Sequence, residues 1–119
     1  MKTSQDPRHK KRQHIVQQLF SREFQDQHVS PDAQIIIDNK KELDAKIQQA
    51  APSFPVEKIN KTDLAVLRLA TYELLIDKKE PQNVIIDEAV ELAKEFGNDT
   101  SPAFVNGVLG HITSYAKLT

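Results

Sequence analysis

The chain has 119 residues, of which 39% are hydrophobic, enough to fold as one packed domain and too many for wholesale disorder. No apolar run approaches the ~20 residues of a membrane span and no signal-peptide core follows Met1. The absence of cysteine excludes disulfides, thiolate metal sites and a Cys nucleophile. The net charge of −1 conceals a polarity: residues 1–14 hold five Lys and Arg against Asp6 alone, and the rest of the chain is acidic. A cationic end on an acidic body is suited to an anionic partner engaged from that end.

In chain order, residues 1–7 are expected to be flexible. Ile15, Val16, Leu19, Phe20 and Phe24 then form one stripe of a helix spanning Arg8–Phe24. Ser30-Pro31 reads as an N-cap followed by proline at the first helical position. The segment it opens runs to about Ala50, with a break at Asp38-Asn39. The β-branched Ile35, Ile36 and Ile37 find no partner strand elsewhere. Pro52 and Pro55 interrupt the chain, and Ile59 belongs to a short turn. A helix from Thr62 or Asp63 to about Ile76 is apolar on nearly every side, which places it in the middle of a bundle.

Pro81 precedes a stripe of Ile85, Ile86, Ala89, Val90, Ala93 and Phe96, closed by Gly97 at the C′ position. Ser101-Pro102 repeats the cap signal ahead of Phe104, Val105, Val108, Leu109 and Ile112. The fold expected is an all-α, compact bundle of five to seven helices around the central apolar helix, in a single domain over 1–119. Gly107 and Gly110 each cost a helix roughly 1 kcal/mol relative to Ala, so close approach of a neighbouring helix is expected there.

Candidate chemistry is sparse. Arg8, Lys10, Lys11 and Arg12 lie at the start of the first helix, where they can point outward at phosphates while the apolar stripe anchors the helix; an ordinary solvated terminus is the other reading. Asp87, Glu88, Glu91 and Glu95 are expected to form a water-facing surface. The histidines His9, His14, His28 and His111 have no nucleophile or ligand spacing around them, so neither catalysis nor a metal or cofactor is expected. Phe104, early in the last helix, can pack inward or lie at the surface, and taken alone the core is the expected place for it.

Two stretches carry a family resemblance. Asp63-Leu64-Ala65-Val66-Leu67-Arg68-Leu69-Ala70 with Tyr72-Glu73-Leu74 resembles the central helix of the NusB family of bacterial antitermination factors. Asp87 through Lys94 and Ser101-Pro102-Ala103-Phe104-Val105-Asn106-Gly107-Val108-Leu109 resemble its last helices, and Arg8 through Arg12 its Arg-rich start. The resemblance implies a cytoplasmic RNA-binding protein, not an enzyme. Such a protein pairs with NusE, a small-subunit ribosomal protein, on single-stranded boxA-type leader RNA and helps RNA polymerase resist termination.

By position, the resemblance assigns RNA contact to Arg8, Lys10, Lys11, Arg12 and Phe104, and a place at or near the NusE and RNA surfaces to Phe20 and Asp63. It leaves open a homodimer, and a stand-alone domain serving a separate RNA methyltransferase. A structural helical protein remains a further alternative. The segment between the first helix and Pro52 is shorter than in the family pattern and lacks a helix usual there.

Overall fold

The computed structural model describes residues 6–118, with side-chain surroundings through Ser114, and over that span the chain is all-helical. Its elements are α1 (Pro7–Arg22), α2 (Pro31–Asp38), α3 (Lys40–Ala50), a 3-10 turn (Val56–Lys58), α4 (Lys61–Tyr72), α5 (Gln82–Phe96) and α6 (Ser101–Leu118). No strand occurs among the described residues, and the six α-helices fall within the expected range.

Local capping chemistry sets most of the boundaries. The Asp6 carboxylate accepts the Arg8 N–H at 2.8 Å and Pro7 is the first helical residue. Helical order therefore begins inside the segment expected to be flexible, whose residues 1–5 lie outside the described residues. The Ser30 hydroxyl accepts the Ala33 N–H at 3.3 Å with Pro31 behind it. At Asn39 the side-chain amide donates to the Ile35 carbonyl at 2.7 Å, competing with the ladder and splitting α2 from α3 at the expected break. Asn60 caps α4 by accepting the Thr62 and Asp63 N–H groups. At Ser101 the cap lies elsewhere than expected. Ser101 is already helical, and its buried hydroxyl accepts the Asn98 N–H at 3.0 Å.

Every residue from Asp63 to Thr71 is buried, and α4 packs against α1, α3, α5 and α6 and touches α2. This is the central helix read from its composition. It stops being regular at Tyr72. A π turn follows (Glu73–Asp77), in which the Lys78 N–H reaches back five residues to the Glu73 carbonyl at 2.8 Å. Lys78 closes it in the left-handed region at φ 55°.

The glycines carry two corrections. Gly97 ends α5 with φ −95°, so handedness does not select it; space does, because a Cβ there would collide with Ser101 Oγ and lie 2.7 Å from the Ala93 carbonyl oxygen. Among the described residues, a Cβ at Gly107 or Gly110 would meet nothing within 4 Å, so the expected close helix approach is not found there. Among the described residues, no helix is long and apolar enough to cross a membrane.

Candidate nucleic-acid interface

The stripe that seats α1 does not stop at its apolar residues. Continued backward by three from Ile15, it passes through Arg12 and His9, and both are buried. The Arg12 guanidinium donates through Nε to Glu73 at 2.9 Å and through its terminal nitrogens to Glu73 at 2.7 Å, to Glu88 at 3.2 Å and to Glu80. Burial opposes its charge, but the bonds it donates to Glu73 and Glu80, with the attraction of those carboxylates, outweigh that and push its pKa further up. The expectation that Arg12 points outward at phosphate is therefore corrected: four hydrogen bonds hold it inside.

His9 Nδ1 lies 3.0 Å from Glu88 Oε1, and Nε2 lies 2.9 Å from Glu95 Oε1. Ionised carboxylates only accept, so this geometry favours the ring with both nitrogens protonated and donating. Burial disfavours that charge, yet Glu88 and Glu95 overcome it and raise the His9 pKa above 6.5. The acidic set on α5 is corrected accordingly. Glu88 is buried, with 5% of its side chain exposed, and Glu95 turns onto His9. Asp87 stays exposed and Glu91 half-buried.

With His9 and Arg12 spent inward, the outer face of this turn presents Arg8, Lys10 and Lys11, all exposed. Arg8 is 72% exposed and lightly tethered to Asp6 at 3.4 Å and Glu80 at 3.2 Å. Lys11 meets Asp32 of α2 at 3.5 Å, a solvated pair that water and salt weaken. These cations remain available to an external anion.

The remaining candidates scatter. Phe104 is half-buried against the core, and its ring meets that of Phe54 edge-on at 5.2 Å. Phe54 itself is 53% exposed on the proline-flanked loop, which Gln48 pins by donating to the Ala51 and Phe54 carbonyls and accepting the Val56 N–H. Phe20 is exposed at the far end of α1, beside Phe24 with ring centroids 5.0 Å apart. Asp63 is buried beneath the Asn60 cap, with no hydrogen-bond partner for its Oδ1 among the described residues. Its carboxylate is not presented at the surface as a direct partner contact requires.

Sequence reasoning missed His9, Glu88, Phe54 and a second buried junction. In that junction Arg68 forks onto Asp44 at 2.8 and 2.9 Å and reaches Glu23 at 3.1 Å. The available signal was positional: His9 and Arg12 continue the α1 stripe, and Arg68 interrupts the most apolar helix. Among the described residues no group of three or more His, Asp and Glu is placed to hold a metal ion.

A family model described as "NusB family" matches residues 4–114. The chain is 41% identical over 111 residues to the transcription antitermination protein NusB of Chloroflexus aggregans, covering 85% of this chain and 74% of that protein. It is 40% identical to the NusB of Roseiflexus castenholzii, covering 85% and 78%. A solved structure of T. maritima NusB superposes with a TM-score of 0.78 at 33% identity, over 96% of this chain and 93% of that one.

Proposed function

The chain belongs to the NusB family of transcription antitermination proteins, and from that premise we propose that it binds single-stranded boxA-type leader RNA together with NusE and helps RNA polymerase resist termination. The observation that carries the RNA part is the division of labour on the first turns of α1. His9 and Arg12 fix the helix onto α5 and the turn after α4, and Arg8, Lys10 and Lys11 stand in solvent. A cation held on a pinned helix loses less freedom on meeting a phosphate than one on a loose end.

In this reading Arg8, Lys10 and Lys11 take phosphates, Phe104 supplies an aromatic edge for a base, and Arg12 is a positioning residue. Phe20, exposed at the opposite end of α1, is the candidate contact for NusE, and Asp63 shapes the start of α4 from within. Three cations give a modest binder. Sequence choice on single strands needs stacking and base-edge bonds, so a second protein extending the surface is physically reasonable.

The test is a gel-shift series with boxA-like and scrambled RNA, with and without NusE, across salt. About three phosphate contacts predict a fall of roughly two log units in affinity per tenfold rise in salt. Reversing Arg8, Lys10 and Lys11 to Glu should abolish retention while the helical circular-dichroism spectrum is unchanged. Unchanged retention by that triple variant would leave the structural-protein reading in its place.

A further inference from the structure

A cavity of about 610 Å³ opens beside the cationic turn, between α1, α2 and the end of α4. That size lies within the range of pockets that enclose small organic groups. Its apolar wall comes from Ile15, Ile35, Ile36, Leu69 and Tyr72, and Ile35 is 44% exposed there. Arg8 and Lys11 stand at its lining, and the Lys11–Asp32 pair bridges α1 and α2 beside it. The Glu73 and Glu80 carboxylates on the same lining are already taken by Arg12. Asp77, from the π turn, is different: its closest ionic partner is the 81%-exposed Lys79, at 3.6 Å. Asp32 on the same lining has a comparably weak partner but is 57% exposed, whereas the Asp77 side chain is 26% exposed, so Asp77 is the more sheltered acceptor with capacity to spare.

We propose that this cavity takes one unstacked guanine base of the bound strand, with the Asp77 carboxylate accepting from its edge and Arg8 and Lys11 on the adjoining phosphates. The inference rests on the RNA-binding reading above and adds a base-selective subsite to it. Guanine presents two adjacent N–H donors, which match the two oxygens of a carboxylate as an arginine fork does. Uracil places carbonyl oxygens on either side of its single N–H and would turn acceptors toward Asp77. The apolar wall and the Tyr72 ring suit the faces of a base, which lose little on leaving water.

The experiment uses the full chain, guanosine and uridine monophosphates, and short oligouridines with and without one central guanosine. Guanosine monophosphate should saturably shift the nuclear resonances of Ile35 and Tyr72, whereas uridine monophosphate should perturb only those near Arg8 and Lys11. The guanosine-bearing oligomer should bind at least about fivefold tighter than oligouridine, the low end of a bidentate base contact. Asp77→Asn, which preserves shape, should erase that preference, and Ile35→Trp should reduce it by crowding the opening.

Equal binding of the two oligomers, lost when Arg8, Lys10 and Lys11 are neutralised, would overturn the subsite and leave RNA binding standing. A preference for guanosine that survives Asp77→Asn overturns it also. If neither oligomer binds and neither nucleotide shifts Ile35, the subsite falls and an apolar side chain of a partner protein becomes the better occupant, while the RNA-binding reading is decided separately by the boxA gel shift with NusE.

Discussion

Arg12 concentrates more buried charge than any other residue of α1, and removing it should be felt throughout the fold. With 8% of its side chain exposed and three carboxylates around it, Arg12→Met leaves Glu73, Glu80 and Glu88 facing one another. Breaking a buried pair from one side costs about 3–5 kcal/mol, a large share of the 5–15 kcal/mol typical of a domain. Denaturant unfolding should register that loss, and adding Glu88→Gln should recover part of it.

His9 gives a pH dependence of definite sign. Its folded pKa lies above the 6.5 of an unperturbed imidazole, so the folded state binds the proton more tightly than the unfolded chain. The resulting stabilisation is complete below 6.5 and is lost as pH rises through the elevated folded value. Unfolding midpoints should therefore decline from near neutrality upward, and His9→Gln should flatten that decline. A slope that persists in the variant would assign the effect to another group.

At the scale of the helix, the two open glycines and the crowded one predict opposite outcomes. Gly107→Ala and Gly110→Ala add a methyl group where nothing lies within 4 Å, so each should stabilise the chain by up to about 1 kcal/mol. Gly97→Ala forces a Cβ into Ser101 Oγ and the Ala93 carbonyl. It should destabilise by roughly 1–3 kcal/mol, the usual cost of overpacking. Thermal melts of the three variants make the comparison.

The same scale shows what a linear chain can disclose. Ser30-Pro31, Asn39 and the largely apolar sequence of α4 act through neighbours a few positions away, so the helices they bound were readable residue by residue. The partners of Arg12 lie 61, 68 and 76 positions along the chain, and those of His9 lie 79 and 86 positions away. Spacing puts Glu88, unlike Asp87, on the buried stripe with Ile85, Ala89 and Leu92, but nothing local names the cations that make a carboxylate tolerable there. Only the docking of α1 on α5 supplies them, as His9 and Arg12. The π turn was equally hidden, since Glu73-Leu74-Leu75-Ile76 is as apolar and periodic as the helix before it.

For the molecule as a whole, stability is concentrated in α4 and thins outward. Leu67 is fully buried on the helix that packs against all five others, and Leu67→Ala should cost about 2–5 kcal/mol through lost transfer energy and an unfilled void. At the other extreme α2 has eight residues and buries only Ala33 and Ile36. Local opening follows burial, so hydrogen–deuterium exchange should release the α2 amides well before those of α4. Because α2 also forms one wall of the cavity beside α1, whatever settles there must slow that exchange selectively. A loosely anchored short helix thereby becomes a reporter, through the deuterium uptake of a handful of peptide groups, of events on the cationic turn it faces.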